Sequence, residues 1–87
     1  MKIYIPSPLR SYTGKKSSVS VIGVRTVRAA VDVLEKDSSG IRFRMIDERD
    51  RIREYIKIFV NMEQISTLDT SVMETDEIHI IAALSGG

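Results

Sequence analysis

The segment EIHIIAALSGG, residues 77–87, decides the fold, because it joins the clearest strand pattern of the chain to a glycine pair. Its apolar part alternates between the two faces of a β-strand. One face receives Ile78, Ile80 and Ala82, and the other receives His79, Ile81 and Ala83. Glycine loses more conformational freedom on ordering than any other residue. We therefore expect a final strand that continues into a flexible tail, residues 84–87.

Three further segments show strand alternation, and one shows the periodicity of a helix. KIYI at residues 2–5, SVSV at 18–21 and IKIFV at 56–60 alternate with period two. The first two flank a short polar loop with turn residues, which predicts a β-hairpin. A helix is predicted between the second and third strands, with Thr26 as its N-cap and Gly40 as its left-handed end. Its apolar stripe has i, i+3, i+4, i+7 spacing: Val27, Ala30, Val31 and Leu34.

Two segments are less regular. IRFRMIDERDRIREY, residues 41–55, starts with apolar residues alternating with arginines and continues with mixed charges. We interpret it as an irregular or strand-like piece followed by a solvated turn, not as a phosphate-binding patch. STLDTSVMETDE, residues 66–77, is expected to be polar and irregular. The predicted core consists of Ile3, Ile5, Val19, Val21, Val27, Ala30, Val31, Leu34, Ile56, Ile58, Val60, Ile78 and Ile80.

Composition excludes several classes of protein. The chain has 87 residues, which favours a single domain over residues 1–87. A net charge of +1 is too small to indicate nucleic acid or an anionic membrane surface as a partner. The absence of cysteine excludes disulfides, thiolate catalysis and cysteine metal sites. No run approaches the ~20 apolar residues of a membrane span, and no signal-peptide pattern opens the sequence, so we expect a cytoplasmic protein.

The order β-β-α, irregular middle, β, loop, β is typical of an α+β fold. We expect a mixed sheet of four to five strands with one main helix packed on one face. A single helix covers only one face, so the apolar residues of the other face are left for a partner. We therefore predict a partner-binding patch beside the tail: Tyr4, Phe59, Ile81, Ala83 and Leu84. The alternatives are that the middle segment or a second copy of the chain covers this face.

Four segments together resemble the MoaD/ThiS family of ubiquitin-like sulfur carriers, which have the β-grasp fold. LRSYTGKK is similar to the family's first hairpin, and TVRAAVDVLEKDSSGIRFRMID to its helix and the Gly-Ile-Arg that follows. IFVNMEQI is similar to its Val-Asn strand and turn, and LDTSVMETDEIHIIAALSGG to its Asp-Glu, final strand and Gly-Gly. Met62, Thr75 and Lys15 depart from the family's usual glycines. The long middle segment is more similar to the cysteine- and thioquinolobactin-type carriers than to the thiamine carrier.

The resemblance implies a role for Gly86 and Gly87. The Gly87 carboxylate would be adenylated with ATP by an E1-like adenylating enzyme and converted to a thiocarboxylate. A sulfur-accepting synthase would then receive the sulfur, in a pathway of the cysteine, siderophore, thiamine or molybdopterin type. The carrier would not itself be an enzyme and would bind no cofactor, since the activating partner uses the ATP. In carriers that are first synthesised with extra residues after Gly-Gly, a JAMM-type metalloprotease would remove them and expose Gly-Gly.

Chain geometry suits this role independently of the resemblance. Four extended residues reach about 13–14 Å, and glycine, which has no Cβ, can pass a narrow channel. The open alternatives are a ubiquitin-like modifier that forms isopeptide bonds, the small subunit of a molybdopterin-synthase-like complex, and a binding module with an inert tail. His79 has no cysteine or second histidine beside it, so we expect a surface histidine and no metal site.

Overall fold

The computed structural model describes residues 1–83. The described residues form a five-stranded sheet with strand order β2-β1-β5-β3-β4. β1 and β5 are parallel, and the other neighbouring strands are antiparallel. This confirms the α+β class and the mixed sheet. In chain order the elements are β1 (Lys2–Tyr4), a 3₁₀ helix (Ser7–Thr13), β2 (Ser18–Ser20), α1 (Val27–Asp37), α2 (Ile41–Met45), β3 (Ile56–Val60), β4 (Glu63–Gln64) and β5 (Glu77–Ala82).

The core lies between α1 and one face of the sheet. Ile3 pairs in register with Ile78, and Ile58 pairs with Ile80, so branched aliphatic side chains line up across three strands. Burial of such side chains is the main favourable term in folding. The predicted core is buried apart from Val19 and Val60, which are partly buried against it.

α1 begins at the predicted N-cap, but the predicted end cap is wrong, because the C-cap is Ser38 with φ −136°, and the left-handed Gly40 is instead the N-cap of α2. The Thr26 hydroxyl oxygen accepts a hydrogen bond from the Ala29 backbone N–H at 3.1 Å, which satisfies one free donor of the first turn. After the helix, Gly40 has φ +96°, and a Cβ there would lie 3.2 Å from the Tyr12 ring. Both conditions favour glycine at this position. None of the helices among residues 1–83 has the length and apolar character needed to cross a bilayer.

The strand-like reading of the middle segment is wrong at its start, because residues 41–45 form the helix α2. The Glu35 carboxylate accepts hydrogen bonds from the backbone N–H groups of Gly40 and Arg42, at 2.9 and 2.8 Å. Ile41 and Met45, spaced i and i+4, are both buried, whereas Phe43 between them is 61% exposed. The apolar pair at helical spacing and the carboxylate cap therefore favour a helix over the strand that the alternating pattern predicted.

The first hairpin is confirmed in its pairing but not in its connection. β1 and β2 pair antiparallel, yet a 3₁₀ helix of seven residues, not a simple polar loop, joins them. Leu9 in this helix is buried. Other buried side chains that the sequence prediction missed lie in the segments without regular periodicity: Val24, Ile41, Met45, Ile46, Leu68 and Val72.

Candidate docking site at the carboxyl end of the central strand

β5 is the central strand of the sheet, hydrogen-bonded to β1 on one side and β3 on the other. The Ala83 N–H donates a hydrogen bond to the Tyr55 carbonyl oxygen at 2.9 Å, which extends the β3–β5 pairing by one residue. The tail, residues 84–87, therefore continues from a strand fixed on both sides. The predicted site residues Leu84, Gly86 and Gly87 lie outside the described residues, as does the flexibility predicted for the tail.

The face of the sheet opposite α1 carries the other predicted site residues. The register places Tyr4, His79 and Phe59 in one row across β1, β5 and β3. Ile81 is 50% exposed in the next row, and Ala83 follows it at the end of the strand. The structure thus brings Tyr4, Phe59 and Ile81 to one face. Of the middle segment, Ile41, Met45 and Ile46 pack into the core, and no residue of 41–55 lines the groove on this face.

Tyr4 and His79 form a stacked pair on this face. Their ring centroids are 4.5 Å apart, with an interplanar angle of 7°. The Tyr4 hydroxyl donates a hydrogen bond to a Glu77 carboxylate oxygen at 3.3 Å. The other Glu77 oxygen lies 3.4 Å from His79 Nε2. The row therefore combines an apolar ring surface with a polar rim, which is the usual composition of a protein interface.

A shallow groove of about 510 Å³ runs along this face between β3 and β5. Its lining is Phe59, Asn61, Met62, Glu77, His79 and Ile81. Met62 is 92% exposed at the tip of the β3–β4 turn, where Asn61 adopts φ +56°. The sequence prediction of the patch did not include His79 or Met62. Strand alternation already placed His79 beside Ile81, but no sequence signal connects Met62 with them.

Asp76 fixes the turn at one end of this groove. Its carboxylate accepts hydrogen bonds from the Met73 backbone N–H at 2.8 Å and from the Asn61 side-chain amide at 3.0 Å. These two bonds hold the pKa of the Asp76 carboxyl below its usual value, with the Met73 N–H as the larger cause. Asn61 in turn accepts a hydrogen bond from the Glu77 N–H at 3.0 Å. The turn that carries Met62 is therefore tied to the start of β5.

Aromatic residues and arginines meet at the end of the sheet where Ala82 lies. A groove of about 280 Å³ is lined by Tyr12, Arg44, Tyr55 and Ala82, among other residues. Arg44 Nε donates a hydrogen bond to the Tyr12 hydroxyl oxygen at 2.6 Å, which raises the pKa of Arg44 above its normal value. The Arg53 guanidinium carbon lies 4.5 Å from the centroid of the Phe43 ring. These contacts were not predicted from the sequence.

A network of ion pairs lies on the helix side of the molecule. Asp50 accepts hydrogen bonds from Arg28 at 2.7 Å and from Arg42 at 3.0 Å. The pKa of Asp50 is lowered, mainly by Arg42 and then by Arg28. Arg28 also contacts Asp69 at 3.1 Å, and Arg42 contacts Asp32 at 3.1 Å. The network joins α1, α2 and two loops. Within residues 1–83 no group of three acidic or histidine side chains could hold a metal ion.

A mixed sheet with this strand order and one main helix on one face defines the β-grasp fold of ubiquitin-like proteins. The chain belongs to the ThiS family, whose model matches residues 3–87. No curated protein sequence matches it.

Solved structures with the same fold agree with this assignment. One is a chain of the Amycolatopsis orientalis BexX/CysO complex, at 31% identity and a TM-score of 0.89, covering 99% of this chain and 98% of that chain. Another is Mycobacterium tuberculosis CysO, at 32% identity and a TM-score of 0.88, covering 95% of this chain and 98% of that chain. Haloferax volcanii SAMP1 is 23% identical with a TM-score of 0.77, covering 99% and 97%, which shows a shared fold alone.

Proposed function

We propose that this chain is a sulfur carrier whose reactive group is the Gly87 carboxylate. An E1-like enzyme binds the carrier and ATP, and a carboxylate oxygen attacks the α-phosphorus, releasing pyrophosphate. A hydrosulfide sulfur, supplied through the partner, then attacks the acyl carbon and expels AMP, leaving a thiocarboxylate. The observation that carries the proposal is the ThiS-family match, which runs from residue 3 through Gly87.

The chemistry explains why a carrier needs a partner enzyme. A carboxylate is a poor electrophile, and adenylation gives its carbon a good leaving group. The chain supplies the substrate carboxylate, while the partner supplies the ATP site and the catalytic groups. Gly86 and Gly87 have no Cβ, so they can pass a narrow channel and lie close to phosphates. In this proposal the carrier binds no cofactor of its own.

The open face of the sheet is the proposed docking surface for the partner. Tyr4, Phe59 and Ile81 present ring and aliphatic surface beside the end of β5, and Ala83 continues this surface toward the tail. Leu84, the first residue of the tail, is proposed as a further contact. Aromatic side chains at the centre of an interface contribute a large share of binding energy. The groove that borders Phe59 and Ile81 gives a partner side chain a place to insert. The face thus holds the carrier while the tail enters the active site.

The acceptor of the sulfur is proposed to be a synthase of the cysteine or siderophore type. The support is the CysO similarity at 31% and 32% identity over nearly the whole chain. One of these relatives is in a complex with BexX, so a second protein engages it. A JAMM-type metalloprotease belongs to the proposal only if further residues follow Gly87 in the initial translation product.

Intact mass spectrometry after incubation with the E1-like enzyme, ATP and sulfide tests the proposal. We expect the mass gain of one oxygen replaced by sulfur, and no gain in a chain that lacks Gly87. A Ser85→Ala variant, which keeps the glycine pair and changes a tail residue that is not part of the proposed docking surface, serves as the matched control. Covalent adducts on lysines of other proteins, without a free thiocarboxylate, would favour a modifier instead. An unchanged mass in the presence of an active E1-like enzyme would refute the carrier function.

A further inference from the structure

Arg44 and Arg53 differ from the arginines of the ion-pair network, because neither has a carboxylate partner among residues 1–83. Within the described chain, each of these arginines donates a hydrogen bond through its Nε. Arg44 Nε donates to the Tyr12 hydroxyl oxygen at 2.6 Å, and Arg53 Nε donates to the Phe43 carbonyl oxygen at 2.7 Å. The hydrogen bonds found in this part of the chain leave the two terminal nitrogens of each guanidinium without an acceptor.

Both guanidinium groups are nevertheless held in place. The Arg53 guanidinium lies over the Phe43 ring, and the Arg44 guanidinium carbon is 5.9 Å from the centroid of the Tyr12 ring. Their backbones are also tied, since the Arg53 N–H donates to the Met45 carbonyl and the Tyr55 hydroxyl donates to the Arg44 carbonyl. A side chain that is already ordered loses less entropy on binding. These two arginines are therefore preorganised for an anionic ligand.

The two arginines lie at the end of the sheet from which the tail continues. Arg44 lines the same groove as Ala82, and Arg53 is anchored on the α2 residue next to Arg44. Lys57 lies opposite Ile81 in the register of the same end. The carboxylates of Glu74 and Asp76 are engaged at the other end of β5. Three cations thus lie near the base of the tail, with the exposed Glu54 beside Arg53 as an acidic neighbour there.

We propose that Arg44 and Arg53 dock onto acidic side chains that surround the entrance of the activating enzyme's catalytic channel. This inference rests on the proposed function and identifies a second contact, separate from the apolar face. The free pair of terminal nitrogens on each guanidinium matches the two oxygens of a carboxylate. Nucleotide phosphate is a poorer match. A tail extended into a channel spans about 13–14 Å, which places the nucleotide at Gly87 beyond a side chain anchored beside Ala82.

The test compares two double variants of the full chain. The first combines Arg44→Gln and Arg53→Gln, and the second combines Arg25→Gln and Arg49→Gln. The second pair removes the same charge from exposed arginines that have no ion pair within residues 1–83. We would measure the Kd for the activating enzyme by calorimetry, and the KM and kcat of thiocarboxylate formation. For the first variant Kd and KM should rise about tenfold with unchanged kcat and a weaker dependence on salt. The control should stay within about twofold.

Each other outcome overturns the inference. Equal effects of the two double variants would show a dependence on net charge alone. A fall in kcat at constant KM would show a role in chemistry or folding, and circular dichroism melts would separate these. If ATP alone binds the free wild-type chain and not the first variant, the ligand is nucleotide phosphate. If the wild type forms no thiocarboxylate, the proposed function fails and the inference fails with it. If the wild type forms a thiocarboxylate and the Arg44→Gln, Arg53→Gln variant binds and reacts like wild type, the inference fails and the proposed function stands.

Discussion

The two faces of the sheet come from alternating residues of the same strands, yet they differ in composition and exposure. On β3, Ile58 faces α1 and is fully buried, whereas its neighbour Phe59 faces outward and is only partly buried. On β5, Ile80 is buried and Ile81 is half exposed. The covered face is aliphatic, and the open face combines rings with polar groups. Packing in the core of this chain therefore does not explain the apolar residues on the open face.

The arginines divide in a parallel way. Arg28 and Arg42 each contact two carboxylates, so their charges are matched within the molecule. Arg44 and Arg53 are held by aromatic residues and keep their terminal nitrogens available within the described chain. Exposed ion pairs contribute little to stability. We therefore associate the first pair with joining α1 to α2 and the second pair with recognition.

The largest effect is expected from the covered face, in the substitution Ile58→Ala. Ile58 is 0% exposed and pairs with Ile80 in the centre of the core. Deleting its buried methyl and methylene groups leaves a cavity and should cost about 2–5 kcal/mol of unfolding free energy. Urea denaturation followed by circular dichroism measures this cost. A loss no greater than that of an exposed-site control, such as Lys57→Ala, would show that the faces do not differ as described.

The adjacent substitution Phe59→Arg tests the open face. Its side chain lies among Met62, His79 and Ile81 at the surface groove, so an arginine can reach water there. We expect the fold to remain intact, with a loss of at most about 1 kcal/mol of stability. Binding to the activating enzyme should weaken roughly tenfold, as for an aromatic residue central to an interface.

Titration of the enzyme with this variant and with wild type provides the measurement. The matched control is Lys36→Ala, because Lys36 is exposed on α1, which covers the other face of the sheet. Unchanged affinity of the Phe59→Arg variant would show that the open face is not the docking surface. A variant that fails to fold would instead place Phe59 in the core, and Phe59→Gln would then separate shape from charge.

The alternation of β5 and the helical stripe of α1 were sufficient to predict which residues of these two elements face the core. They have a simple physical origin, since a strand has period two and a helix about 3.6 residues per turn. α2 was missed because its five residues contain only one apolar i, i+4 pair. Ile41, Phe43 and Met45 fit a strand equally well from sequence alone. Only the Glu35 cap and the burial of Met45 distinguish the helix.

The candidate docking site was predicted in part for the same reason. Alternation assigned Tyr4, Phe59 and Ile81 to one face of the sheet, and the strand pairing places them there. The contacts of Arg44 with Tyr12 and of Arg53 with Phe43 depend on how separate segments pack. No local pattern predicts such pairs. The sequence analysis expected the charged residues of the middle segment to be solvated. It gave no indication that Arg42 and Asp50 would join α1 to α2.

The smallest effect is expected from Glu35→Gln, which tests the layer that covers the sheet. The Glu35 carboxylate binds the Gly40 and Arg42 N–H groups, and these bonds lower the pKa of Glu35 below its ordinary 4.5, with Gly40 the larger cause. Because the folded-state pKa is the lower one, this stabilisation is fully present above pH 4.5. It is lost as the pH falls through the folded-state pKa.

Glutamine retains the acceptor oxygen but not the charge, so the variant should lose under about 1 kcal/mol at neutral pH, since the carboxylate lies near the surface. Its stability should also depend less on pH below 4.5 than that of wild type. Urea titrations at neutral and acidic pH would measure both changes. Parallel pH profiles for the two proteins would mean that Glu35 does not cap α2 through its charge. Binding to the activating enzyme should be unaffected, because Glu35 lies on the helix that covers the other face of the sheet.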